Sequence, residues 1–201
     1  MPLQAAAASG RQILQDKKTL RAQVRAYIKT LPEGYISASD AGIMANVLAA
    51  DCFCRAATVF AYSSIGRECA TGGIAVAALA MGKTVAMPRT RPGGEMDFAS
   101  VEYGMHTAMY DIPEPVGSAP AIEPATGDII IVPALCCDVS GTRLGQGGGY
   151  YDRFLAKYPS VCSVCLCREK LIQEKIPAEW NDIRTDFVIT EERIMLSLIH
   201  I

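Results

Sequence analysis

Asp128–Pro133, DIIIVP, is followed by a short turn and then by Gly141–Leu155, GTRLGQGGGYYDRFL. The first segment is a continuous apolar run. Such runs form strands buried on both faces, as in parallel sheets covered by helices. The second carries Gly145, Gly147, Gly148 and Gly149 ahead of a helix beginning near Tyr150. Glycines remove side chains and free the backbone, so N–H groups can approach an anion. The start of a helix adds unsatisfied N–H groups and the positive end of its dipole. Arg143 and Arg153 bracket the loop with positive charge. A strand, a glycine loop and a helix in this order describe a phosphate cradle at the carboxyl end of a parallel strand.

Outward from this segment the same alternation continues. Strands are expected over Ala57–Ser63, Lys83–Pro88, Val161–Cys167 and Phe187–Thr190, with helices over Thr71–Met81 and Tyr150–Tyr158. Met96–Glu102 alternates apolar and polar residues and reads as an edge or antiparallel strand. Pro113–Pro124 is a Pro-, Gly- and Ser-rich connection. The sum is a single α/β domain, an open and mostly parallel sheet flanked by helices, across residues 1–201.

Ser9–Leu31 reads as an amphipathic helix with Ile13, Leu20, Val24, Ile28 and Leu31 on one stripe. Lys18, Arg25 and Lys29 fall on the other side. Lys17 lies in the middle of the apolar stripe and Arg21 at its border. Two readings are open: Lys17 snorkels to water, or both cations point inward at a phosphate, since a buried cation needs an anion. Asp152 also has two readings. It favours a helix N-terminus, or it holds a magnesium ion between itself and bound phosphates.

Composition narrows the function classes. Half of the 201 residues are hydrophobic and a fifth are charged, so a sizeable core can form. The net charge of −2 lacks the basic footprint of a nucleic-acid binder. No apolar run reaches membrane-spanning length, and Met1–Gly10 is too weakly apolar for a secretory signal. A cytoplasmic monomer acting on small molecules is expected. The eight cysteines are expected to be free thiols. Cys162, Cys165 and Cys167 lack the second pair or histidines that a zinc site needs. His106 is expected on the surface. Gly82-Lys83-Thr84 is not a P-loop, because it precedes a strand. Tyr150 replaces the third glycine of a dinucleotide fingerprint.

The segment Arg143–Asp152 resembles the signature of the 5-formyltetrahydrofolate cyclo-ligase family, R-L-G-x-G-x-G-Y-Y-D, with Pro133 and Asp138 ahead of it. Further matches keep the family's order. They are Lys17, Leu20 and Arg21; Tyr62 to Thr71 with Glu68; Pro88, Arg89, Met96 and Phe98; Ile112–Pro115; and Ile176, Pro177 and Asp182. The resemblance spans about residues 17–192 and leaves 193–201 as an unassigned tail. The chain departs from the family pattern at Arg67, Ala70, Thr90, Ala134 and the Cys136–Cys137 pair.

The resemblance implies an ATP- and magnesium-dependent ligase that converts 5-formyltetrahydrofolate to 5,10-methenyltetrahydrofolate. It implies that Lys17, Arg21, Arg143, Gly145, Gln146, Gly147, Gly148, Gly149, Tyr150 and Tyr151 hold ATP. Lys17 and Arg143 would also serve the chemical step. Tyr62, Glu68, Met96, Phe98, Tyr110 and Tyr151 would line the folate pocket. Asp152 and Asp182 would bind magnesium. The rival readings are a folate- or nucleotide-binding module without turnover, and a sugar-phosphate isomerase or transferase on a similar sheet.

Overall fold

The computed structural model describes residues 10–91, 95–107 and 112–197. Tyr110 lies outside them. The centre of the fold is β6 (Ile129–Val132), whose four residues are all buried. Ile129 and Ile131 pack into one hydrophobic cluster, and Ile130 and Val132 into another on the opposite face. Both faces are covered, which is why the run is apolar at every position.

Around β6 runs a seven-stranded sheet in the order β12 (Ile194–Leu196), β11 (Phe187–Ile189), β9 (Cys162–Leu166), β6, β1 (Thr58–Phe60), β2 (Thr84–Arg91) and β3 (Glu95–Ser100). The five inner strands are parallel. The two edge strands are antiparallel. β3 therefore has the edge position its alternation suggested, and the first residues of the unassigned tail form the other edge.

On one face, α2 (Glu33–Ala49) and α4 (Gly72–Ala80) supply Ile43, Val47, Ile74 and Ala78 to the core. On the other, α5 (Tyr150–Lys157) supplies Phe154 and Leu155. Phe60, Phe98, Phe154 and Tyr158 form a chain of rings there, with successive centroids 4.8–5.3 Å apart. The α1 helix (Gly10–Thr30) lays Val24 against a separate cluster that includes Cys136, Cys137 and Leu144.

Two features depart from the sequence reading. Residues 33–55, which carry no clear periodic pattern, form α2 and the short α3 (Asp51–Arg55). The glycine loop also does not follow β6 by a simple turn. A hairpin of β7 (Cys136–Asp138) and β8 (Arg143–Leu144) intervenes, and β10 (Ile172–Gln173) pairs alongside it. Within Pro113–Pro124, Pro113–Pro115 forms β5, which pairs with β4 (Met105–Thr107). His106 is exposed on β4.

Chain order dictates where a ligand fits. From β1 the sheet grows toward β2 on one side and toward β6 on the other. The connections therefore diverge above the carboxyl ends of β1 and β6, which is where open α/β sheets form a crevice. Tyr62 and Ser63 follow β1 there, and Pro133 and Ala134 follow β6.

Candidate active site

A cavity of about 760 Å³ occupies this crevice. Four chain segments far apart in sequence converge on it: α1, the segment after β1, the glycine loop, and the loop 179–183.

The last two segments are tied together by carboxylates. Asp138 ends β7, and its Oδ1 accepts from the Ser140 and Thr142 amides, which closes the β7–β8 turn. Its Oδ2 accepts from the Ile176 amide at 3.0 Å. Asp152, on the first turn of α5, accepts from the Ile183 amide at 3.1 Å and from Arg143 Nη2 at 2.7 Å. Arg143 also donates to the Ile183 carbonyl. The loop 176–183 is thus fastened at both ends beside the glycine loop. Charge-assisted bonds of this kind are the stronger ones.

The glycine loop adopts a backbone that requires glycine at two positions. Gly147 and Gly149 have φ of +106° and +67°, values that side chains rarely adopt. A Cβ on Gly149 would also lie 2.8 Å from Arg153 Nη1. Gly149 caps α5 with no side chain bonded to the first-turn amides. Those N–H groups therefore stay available to a ligand.

Lys17 resolves the anomaly on α1. It is only 4% exposed, so it does not snorkel. Its ammonium donates to Glu179 Oε2 at 2.9 Å and to Asp182 Oδ2 at 2.5 Å. Arg21 donates from Nε to the Gly145 carbonyl at 2.9 Å, and Arg25 to Gln146 Oε1 at 2.6 Å. Arg21 and Arg25, one turn apart, thus fasten α1 to the glycine loop.

Asp152 and Asp182 have different oxygens engaged, Oδ1 in the first and Oδ2 in the second. Both residues border the cavity. Magnesium takes one or two carboxylates and fills its remaining sites with phosphate oxygens and water. This donor set fits such an ion. Among the described residues no group of three metal-binding side chains forms a complete protein cage.

The other half of the cavity is less polar. Tyr62 is buried, and its hydroxyl donates to the Cys69 carbonyl at 2.8 Å, so it is a fixed wall. Glu68 accepts from the Ile65 amide at 3.1 Å. Burial raises its carboxyl pKa, against the hydrogen bonds from Ile65 and Gln146 that lower it. Burial likewise raises the Tyr151 hydroxyl pKa, aided by the nearby Glu68 charge. Met96, Thr90 and Glu114 complete this side. Phe98 does not line the cavity, contrary to expectation. It is fully buried one layer below, in the ring chain.

Several residues of the site escaped the sequence reading. Glu179 was overlooked because no pattern marks an acid that meets a lysine 162 positions away. Trp180 lines the cavity while 97% exposed. As the chain's lone tryptophan, beside Asp182, it was a signal available in the sequence. Arg168, fully buried, pairs with Asp40 at 2.8 Å and donates to the carbonyls of Ile36 and Glu68. It ties the segment carrying Glu68 to α2. The departure at Arg67 is structural: its guanidinium donates to the carbonyls of Ile28 and Leu31 at the end of α1.

An open α/β sheet with a glycine loop at its switch point, faced by the buried Lys17 and Arg143 and their paired carboxylates, has the crevice of an α/β enzyme. The sequence profile of the 5-formyltetrahydrofolate cyclo-ligase family matches residues 13–191, and the chain belongs to that family of ligases. It is 31% identical over 149 residues to the 5-formyltetrahydrofolate cyclo-ligase of Mycolicibacterium smegmatis, covering 70% of this chain and 77% of that one. It is 25% identical over 200 residues to a probable 5-formyltetrahydrofolate cyclo-ligase of Schizosaccharomyces pombe, covering 90% and 98%. Its fold superposes on the 5,10-methenyltetrahydrofolate synthetase of Aquifex aeolicus with a TM-score of 0.77 at 25% identity, covering 90% and 92% of the two chains. Among the described residues, no helix is long and apolar enough to cross a membrane.

Proposed function

We propose that this chain converts 5-formyltetrahydrofolate to 5,10-methenyltetrahydrofolate at the expense of ATP, releasing ADP and phosphate. The observation that carries the reading is the buried Lys17 held against Glu179 and Asp182 at the rim of the glycine-loop cavity. A cation on an apolar helix face is costly. Here it borders the glycine-loop cavity, which supports a role in holding a charged ligand there.

The formyl group on folate N5 is an unreactive amide. Transfer of the γ-phosphoryl group to its oxygen makes that oxygen a leaving group. N10 then attacks the carbon, and phosphate departs as the ring closes. Phosphoryl transfer depends on positioning and charge neutralisation more than on a protein nucleophile. Lys17, Arg21 and Arg143 supply positive charge, and the amides from Gly145 to Tyr151 hold the phosphates. Asp152 and Asp182 would hold a magnesium ion, which would neutralise phosphate charge. Glu68, at the less polar end, accepts from pterin N–H groups, and Tyr62, Met96 and Tyr151 wall the ring. Carboxylates already paired with Lys17 and Arg143 make the cation positions ready before the nucleotide arrives.

The test is the methenyl product's absorbance in a mixture of folded protein, 5-formyltetrahydrofolate, ATP and magnesium. Product accumulating with one ADP per turnover is expected. Absence of product above background would sink the reading. Trp180 gives an independent signal, because its fluorescence reports nucleotide entering the cavity whether or not turnover follows.

A further inference from the structure

At the opposite end of the sheet lies a second cavity, of about 630 Å³. It opens beside Gly127, just ahead of β6, and Cys162, the first residue of β9. Cys52, on α3, lines the same space. Cys52 and Cys162 lie close enough on this lining for their side chains to interact, and both are half-buried. Five other cysteines are fully buried, and Cys54 is exposed. This is therefore the place where two neighbouring thiols share access to solvent.

Their surroundings differ in sign. Arg55, on the cavity lining, favours a thiolate on Cys52. On Cys162 the interaction with Cys52 and burial disfavour a thiolate, Asp186 adds to them, and Arg55 acts weakly the other way. Asp186 is held in place by the Ser163 amide and hydroxyl, each at 2.7 Å. Asp51 is the remaining charged group on the lining. The hydrogen bond from Cys162 is the largest influence lowering the Cys52 pKa, which falls to about 7. A low-pKa, accessible thiolate beside a second thiol is the arrangement of peroxide-reactive cysteines.

We propose that Cys52 and Cys162 form a peroxide-oxidised dithiol site in which Cys52 is the nucleophile and Cys162 the resolving thiol. The Cys52 thiolate attacks the terminal oxygen of a hydroperoxide. An S–O bond forms, the O–O bond breaks, and the departing alkoxide or hydroxide takes a proton to leave as alcohol or water. Cys52 is then a sulfenic acid. The Cys162 sulfur attacks the Cys52 sulfur, forming the disulfide and expelling hydroxide, which leaves as water with the Cys162 proton. Two thiols lose two electrons, and one peroxide gains them. The product links α3 to β9 at the amino end of the sheet, away from the glycine loop. The inference does not depend on the reaction proposed for the first cavity.

The test is peptide mapping by mass spectrometry after brief exposure to one equivalent of hydrogen peroxide. A linked pair of peptides carrying Cys52 and Cys162 is expected. Cys162→Ser should instead stop at a sulfenic acid on Cys52 that dimedone captures. Unoxidised wild-type protein supplies a measurement that needs no variant. At pH 7 iodoacetamide should label Cys52 faster than the more exposed Cys54. Equal or faster labelling of Cys54, or oxidation that spares Cys52, would overturn the proposal. So would a linkage between any other pair of cysteines.

Discussion

The two ends of the sheet hold cavities of similar size but opposite chemistry. At the carboxyl end, cations and carboxylates are interleaved: Lys17 with Glu179 and Asp182, Arg143 with Asp152. At the amino end, two thiols face each other with one guanidinium and two acids near them. The difference follows from topology. Diverging connections leave an open crevice with long loops at the switch point. At the amino end the space is bordered by α3, the end of α2 and the first residues of β9, β11 and β12, with Gly127 just ahead of β6. Charged groups need loops that bring partners from afar, whereas sulfur can rest on the apolar core beneath it.

The contrast can be broken at its strongest support. Arg168→Ala should cost about 3–5 kcal/mol of stability, because it strands Asp40 and removes a buried guanidinium. Denaturant unfolding measures this. A loss below about 1 kcal/mol would mean that Arg168 does not brace the Glu68 segment. Next in size, Asp152→Asn retains an acceptor for Ile183 but loses the charge that faces Arg143 and the phosphates. Turnover should fall by about 10²–10³, the range for losing one preorganised electrostatic group. Cys52→Ser, at the other end, should leave turnover of the reduced protein within about twofold of wild type, as expected for sites without shared partners. Equal losses from the two variants would show that the ends are not separate.

Gly149→Ala tests the loop's conformation alone. A side chain there must accept a positive φ and displace Arg153, at about 1–3 kcal/mol. Thermal unfolding and the ATP concentration for half-maximal rate should both shift. The smallest effect concerns Glu68. Its folded pKa is raised by burial, so the native state binds more protons than the unfolded chain between the ordinary and the raised pKa. Stability is therefore highest below that window and declines as pH rises through it. Glu68→Gln should flatten the slope in a pH series of melting temperatures. An unchanged slope would place the titration elsewhere.

Legibility in the sequence followed the range of the interactions. Ile129–Val132, the glycine loop and the stripe on α1 are local patterns, and each became the element it suggested. Lys17 could be seen to be anomalous from its neighbours alone, but its partners could not be seen. Phe98 was misplaced because strand alternation gives a face, not a depth. The α2 helix was missed although Ile36, Ile43 and Val47 keep helical spacing after Pro32. Small residues and the buried Ser39 dilute that stripe. Arg168 gave no sign, since its hydrogen bonds cross about 100–130 positions of chain. The β7–β8 hairpin was hidden by its two cysteines and the short Arg143–Leu144 strand, too brief for any period to register.

The bridge from Lys17 to Asp182 spans 165 positions of chain. At synthesis rates of 5–20 residues per second, roughly 8–33 s separate the emergence of its two ends from the ribosome. For that interval α1 carries a cation in its apolar stripe with no acid to meet it. Premature docking of the helix is disfavoured by the same charge that later serves the cavity. The ion pairs of Lys17 can therefore form only after most of the chain has been synthesised.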